Sequence, residues 1–204
     1  GANIKDCSSS GAPDFSGNGT TWFSNLYATS TAIVQTYITR FTSSGGGVGV
    51  QVTGAFRVDM DTPHVIDATF VGIYIVAPTS SDVQITNPDV TWSGGAASQR
   101  FGVLIESNAA GNVSLVRIFG GDLDCFSDGV FGSIGLYILS NNAGSVQYVE
   151  AIGINITNFD TAAQIEATGG GTVAANGIVN SFTSSNGADI NNISDAAFRT
   201  GGNY

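Results

Sequence analysis

The 204 residues include 28 glycines, 42% hydrophobic residues and only 11% charged ones, enough apolar material for one compact domain with a sizeable core. The net charge is −10 and Lys5 is the only lysine, which counts against a nucleic-acid partner and against a capsid that packages its genome through a basic arm. No stretch reaches the roughly 18 consecutive apolar residues of a membrane helix, so no membrane insertion is expected, and the absence of a charged-then-apolar leader points to a processed chain or to assembly into a virion.

Few Lys and Glu, with abundant Ser, Thr, Asn, Val and Ile, favour strands and turns over helices. Residues 1–20 are turn-rich and aperiodic and read as a lead-in or attachment segment. Thr31 to Phe41 is dominated by β-branched and aromatic residues and predicts early strands. Ser43-Ser-Gly-Gly-Gly-Val48 reads as a tight turn. Gly49 to Val52, Ala55 to Met60 and Val65 to Phe70 then read as three further strands.

From Gly72 to Phe182 the chain reads as four versions of one unit. The openings are Gly72-Ile-Tyr-Ile-Val76, Gly102-Val-Leu-Ile-Glu106, Gly135-Leu-Tyr-Ile-Leu139 and Ala162-Ala-Gln-Ile-Glu166, spaced by 30, 33 and 27 residues. A valine falls eleven positions after each start, at Val83, Val113, Val146 and Val173. Phe119-Gly-Gly-Asp-Leu-Asp-Cys-Phe126 aligns with Ile152-Gly-Ile-Asn-Ile-Thr-Asn-Phe159. Apolar residues stand one and three places after each start and mixed residues two and four places after it, which is the period of a half-buried strand. A repeat of this length calls for stacked units. Three strands and three turns per unit, each strand beside its counterpart in the next, make an all-β parallel β-helix, a solenoid with three short strands per rung. Its right-handed form agrees with the handedness of parallel crossovers. The expected organisation is a segment 1–20, a β-helix over 21–185 and a terminal loop or interface tail over 186–204.

This rung pattern, over roughly residues 20 to 185, resembles the pectate-lyase-like right-handed β-helix superfamily, and within it the spike and receptor-binding proteins of bacteriophage tails. In that superfamily an extended strand and a short amphipathic helix cap the first rung. Asn3-Ile-Lys-Asp6 is similar to that strand, whereas the acidic, alanine-rich helix is absent. The tail after Ser185 is too polar to cover a last rung, whose open edges invite pairing. A neighbouring subunit or a further domain is expected there. Cys7 and Cys125 are too few for a disulfide framework and read as two buried thiols, or as one bridge between the amino-terminal segment and the third leg of a rung.

Candidate chemistry centres on Gly120-Gly-Asp122-Leu-Asp124-Cys-Phe-Ser-Asp128-Gly129. In an extended strand Asp122 and Asp124 point to one side roughly 6–7 Å apart, near the carboxylate separation of inverting glycosidases. Asn155 would stack on Asp122. The pair reads as general acid and base on the outer wall of the coil, or as a solvated acidic turn, a weak calcium site, or charges that blunt an exposed surface. No cofactor is implied apart from that calcium. The paired-aspartate, Gly-His-Gly and Arg-x-Lys pattern of polygalacturonases is missing, and His64 is the only histidine.

Glu106 and Glu166 share an outward column with Leu139 between them, as a distant acid–base pair or as two solvated carboxylates. Tyr74, Leu104, Tyr137 and Gln164 form the adjacent column, fit either to stack on sugar rings or to fill a subunit interface. Arg117 and Glu150 share a column and read as an ion pair. The resemblance implies an extracellular or virion-surface spike or adhesin element, homotrimeric, that attaches to a surface glycan. One alternative is a polysaccharide depolymerase using Asp122 and Asp124, assisted by Glu106 or Glu150. Another is a structural filament subunit.

Overall fold

Strand-forming sequence recurs along the whole chain of the computed structural model, which describes residues 2–5, 8–10, 24–29, 35–77, 79–93, 99–108, 111–125, 132–183, 190–192 and 197–198. These residues form strands and turns and no helix. The chain begins with β1 (Ala2–Lys5) and β2 (Ser8–Ser10). Triplets follow: β3 (Ser24–Thr29), β4 (Thr36–Thr39) and β5 (Thr42–Ser44); β6 (Val48–Thr53), β7 (Phe56–Asp61) and β8 (His64–Ile66); β9 (Val71–Val76), β10 (Thr79–Thr86) and β11 (Asp89–Trp92); β12 (Phe101–Ser107), β13 (Asn112–Phe119) and β14 (Asp122–Cys125). Two repeats with a longer second strand come next, β15 (Ile134–Ser140) with β16 (Ser145–Thr157), and β17 (Thr161–Ala167) with β18 (Thr172–Thr183). The last strands are β19 (Ile190–Asn192) and β20 (Ala197–Phe198).

Among the described residues every strand pairing is parallel. The first member of each triplet joins a seven-stranded sheet in the order β19-β17-β15-β12-β9-β6-β3. The second and third members form two arms of a thirteen-stranded sheet, β1-β4-β7-β10-β13-β16 and β16-β14-β11-β8-β5-β2, with β18 and β20 beyond β16. The arms meet in β16, whose first part pairs with β13 while Asn155, Ile156 and Thr157 pair with β14. β1 and β2 pair with β4 and β5, so part of residues 1–20 lies in the same sheet as the repeats.

Alternate residues of both sheets fill one core. Its ladders include Val50–Ile73–Val103–Leu136–Ala163 and Val52–Ile75–Ile105–Ile138–Ile165 from the seven-stranded sheet, and Val65–Val90–Leu123–Ile156 from the second arm, all fully buried. Each buried aliphatic side chain is worth about 1.5–3 kcal/mol relative to exposure, so the stack of ladders is the main stabilising element. Trp92 closes the core beside Phe159, edge to face at 5.9 Å, and its indole N–H donates to the Ala68 carbonyl. Cys125 is fully buried in this core, and Cys7 lies outside the described residues.

The glycine that opens the units at Gly49, Gly72, Gly102 and Gly135 is a steric requirement, while Ala162 takes the same place in the last. The glycine faces the core where the seven-stranded sheet meets the second arm. A Cβ at Gly72 would stand 2.3 Å from Val90 Cγ1 and 2.7 Å from the Gly102 carbonyl oxygen. Gly49, Gly102 and Gly135 would meet the carbonyl of the next unit in the same way, at 2.7, 2.5 and 2.7 Å. The register passes over this position, pairing Phe101 with Val71 and then Val103 with Ile73.

Turns also stack. Arg40, Thr62, Asn87, Gly120 and Gly153 all take positive φ between the two arms, and the N–H groups of the first four donate to Asp61, Thr86, Phe119 and Ile152 of the following unit at 2.8–2.9 Å. Inside the first arm Arg57, Asp82, Leu115 and Tyr148 form a second positive-φ column, with φ of 55–57°. The register skips these residues, as in Ser81↔Ser114 followed by Val83↔Val116.

Three expectations need correction. Val83 is the counterpart of Val116; the partner of Val113, Val146 and Val173 is Ser80. Ser80 is fully buried because its hydroxyl donates to the Val76 carbonyl at 2.9 Å and accepts from Gly54 N–H at 3.1 Å. Of the stretch read as a turn from Ser43 to Val48, Ser43 and Ser44 belong to β5 and Val48 to β6, which leaves residues 45–47 as the turn. The strand expected over Val65 to Phe70 is instead His64–Ile66, because Asp67, at φ 52°, turns the chain.

Candidate functional site

On the seven-stranded sheet, side chains that alternate with the core ladders face outward. Leu104, between the core residues Val103 and Ile105, belongs to a separate apolar cluster with Val48, Val71, Phe101 and Ile134. Phe70, Tyr74 and Tyr137 pack against it. Phe101 meets Phe70 edge to face at 5.1 Å and stacks on Tyr137 at 5.4 Å. The column expected from the sequence, Tyr74–Leu104–Tyr137–Gln164, is present in register, and the structure extends it by Gln51. Beside it runs Thr53–Val76–Glu106–Leu139–Glu166, so the two glutamates stand two units apart, about 9–10 Å.

The structure ties these columns together diagonally. The Tyr74 hydroxyl donates to Glu106 Oε2, and one step of two units further on the Tyr137 hydroxyl donates to Glu166 Oε2 at 2.5 Å. Gln164 Nε2 donates to the same oxygen at 3.1 Å. Tyr74 and Tyr137 are partly buried, so they are not the freely exposed rings that the alternation alone suggests. Burial, reinforced by the hydrogen bond and the charge of Glu106, holds the Tyr74 hydroxyl proton well above the usual phenol range. Burial and Glu166 act likewise on Tyr137. Both phenols are therefore permanent donors at ordinary pH. All three of these hydrogen bonds fall on Oε2 of the carboxylates.

A different ladder runs along the second arm: His64–Asp89–Asp122–Asn155, with Ile66–Thr91–Asp124–Thr157 beside it. The expected stacking of Asn155 on Asp122 is present, and Asn155 Nδ2 donates to Asp122 Oδ1 at 3.0 Å. Asn158 Nδ2 donates to Asp124 Oδ1 at 2.8 Å. His64 Nδ1 lies 2.5 Å from Asp89 Oδ2. Asp122 is exposed and Asp124 partly so. Each of the two carboxylates engages an amide of the following unit through one oxygen, the behaviour of a ladder-stabilising residue. Among the described residues no three of His, Cys, Asp and Glu gather as metal ligands. Asp128 lies outside the described residues.

The His64–Asp89 pair in this ladder is absent from the sequence reading. The signal was the repeated Pro63-His-Val, Pro88-Asp-Val and Gly121-Asp-Leu, each following a positive-φ residue.

Arg117 and Glu150 share a column as expected, but the ion pair falls elsewhere. Arg117 reaches back to Asp82 Oδ1 at 2.7 Å, and Arg57 Nε lies 3.4 Å from Asp82 Oδ2. The positive φ of Asp82 re-aims its carboxylate out of the strand and between the two guanidinium groups, which Glu150 in a regular strand position does not match. No family model matches the chain, and neither a curated protein nor a solved structure matches it.

Proposed function

We propose that the chain is a right-handed parallel β-helix, three strands to a rung, that acts as a spike or adhesin element and binds a surface polysaccharide through the outer face of the seven-stranded sheet. The in-order recurrence of three strands, each pairing in parallel with its counterparts, supports the coil. The homotrimer and the virion-surface or extracellular setting rest on the resemblance to phage tail spikes. One observation carries the binding reading: the repeated Tyr74–Glu106 and Tyr137–Glu166 pairs flank Leu104 on one face. Leu104 is itself buried, so the half-buried Tyr74 and Tyr137 rings supply the aromatic surface for sugar rings and the two glutamates the fixed acceptors for hydroxyl groups that recognition of a polysaccharide needs. The test is a polysaccharide array probed with the wild type and with Tyr137→Ala, whose fold is checked by circular dichroism. Binding that falls by about tenfold or more in the variant supports the reading; a wild type that binds no polysaccharide refutes it.

The His64–Asp89 pair one rung from Asp122 favours a second reading, a depolymerase whose proton transfers run along the second arm. Asp122→Asn should then abolish cleavage of a bound polysaccharide while binding survives. Unchanged cleavage in that variant removes Asp122 from the chemistry.

A further inference from the structure

Resting on the polysaccharide-binding reading, we infer that the outer face of the seven-stranded sheet selects a glycan free of carboxylate, sulfate and phosphate groups, with Glu106 and Glu166 as the residues that reject the anionic ones. The charge on this face has one sign. No Lys, Arg or His stands in any described strand of the sheet, whereas Glu106 and Glu166 both do. Among the described cationic residues, Lys5, Arg57 and Arg117 lie on the first arm, Arg40 and His64 at or beyond the turn between the arms, and Arg100 places its guanidinium 5.6 Å from the centre of the buried Trp92 ring. Arg199 lies outside the described residues.

The two carboxylates are held in place. Tyr74 and Tyr137 donate to Oε2 of their respective glutamates, and Gln164 adds a second bond to Glu166. Neither side chain can swing away without giving up a partly buried hydrogen bond, so each negative charge keeps a fixed position about 9–10 Å from the other. Sugar hydroxyls can donate to either carboxylate. A sugar carboxylate in the same place would face a like charge with no cation beside it, and the net charge of −10 adds to the repulsion at longer range. Rejection of a partner by an unpaired like charge is a standard source of specificity.

The experiment uses a panel of neutral polysaccharides, uronic-acid polysaccharides, and the same uronic-acid polysaccharides with their carboxyl groups reduced to alcohols. The wild type is compared with the double variant Glu106→Gln/Glu166→Gln, in which the amide oxygens still accept from the two tyrosines. The expected result is binding of neutral or carboxyl-reduced chains, with the parent acidic chains bound at least about tenfold more weakly at low salt. In the double variant the discrimination shrinks to within about twofold. Acidic chains bound as well as their reduced forms, or discrimination that persists in the double variant, overturn the inference and leave polysaccharide binding standing. Failure of the wild type to bind any member of the panel overturns the binding reading and this inference with it.

Discussion

Replacing Gly72 with alanine separates two accounts of the recurrent glycine. Gly72 does not occupy the left-handed region, so conformation alone predicts that alanine is tolerated and, by restricting the unfolded chain, stabilises by about 0.4–1 kcal/mol. Packing predicts the opposite. The new Cβ would stand 2.7 Å from the Gly102 carbonyl oxygen, against a normal C···O separation of about 3.3–3.6 Å. It would also stand 2.3 Å from Val90 Cγ1, more than 1 Å inside the ~3.5–4.0 Å contact of two carbons. Overpacking of this kind costs about 1–3 kcal/mol, and displacing a ladder carbonyl weakens a backbone hydrogen bond worth about 0.5–1.5 kcal/mol. The expected loss for Gly72→Ala is therefore about 2–4 kcal/mol, equivalent to a fall in Tm of roughly 4–16 °C for a chain of this size.

Chemical denaturation followed by tryptophan fluorescence measures this loss, with Gly153→Ala as the comparison. Gly153 sits at φ +70° with nothing within 4 Å of its Cβ position, so its cost is conformational alone, about 1–2 kcal/mol. Second-site changes sharpen the test. Val90→Ala should recover part of the Gly72→Ala loss, because one of the two clashes is with that side chain. Leu123→Ala should not rescue Gly102→Ala, whose closest approach is to the Gly135 carbonyl oxygen at 2.5 Å while Leu123 Cδ1 lies at 3.2 Å. A Gly72→Ala variant as stable as the wild type, or more so, would refute the packing account.

The partly buried phenols make stability depend on alkaline pH. In the folded protein the Tyr74 and Tyr137 hydroxyl groups keep their protons above the unfolded value of about 10, so the unfolded chain ionises first. Their contribution is fully present below about pH 10 and is lost as pH rises above it. Denaturation between about pH 9 and 11 should show a steeper decline for the wild type than for Tyr74→Phe/Tyr137→Phe, and equal slopes would count against the raised values. On the first arm, Asp82→Asn should cost about 1–2 kcal/mol, with the loss shrinking in high salt, because it leaves Arg117 and Arg57 facing an amide. Glu150→Gln should stay within about 0.5 kcal/mol of the wild type; the reverse order would return the ion pair to Glu150.

The two kinds of register differ in how far sequence reveals them. On the seven-stranded sheet a glycine marks the units at Gly49, Gly72, Gly102 and Gly135, where a Cβ would clash with the next unit, and the small Ala162 holds the same place in the last, so Tyr74, Leu104, Tyr137 and Gln164 align without ambiguity. Asn155 aligns with Asp122 because that segment follows the glycine-containing turn at an unchanged distance in neighbouring units. The first arm hides its register. Its positive-φ column inserts an extra residue, so inward positions there are spaced by three and then two, as in Val113, Val116 and Ile118. A turn shortened by three residues between Ile75 and Ser80 therefore leaves a valine where another unit has one, and Val83 matches Val113 by count while stacking on Val116. Of the residues that make the bulge, only Asp82 is of a type that visits the left-handed conformation; Arg57, Leu115 and Tyr148 do not announce it. Since the bulge also re-aims Asp82 toward Arg57 and Arg117, the missed register and the misplaced ion pair have one physical cause. The diagonal tyrosine–glutamate bonds were hidden for another reason: they join positions two residues apart along the strand in adjacent units, and alignment by column shows which residues stack but not which side chains lean across.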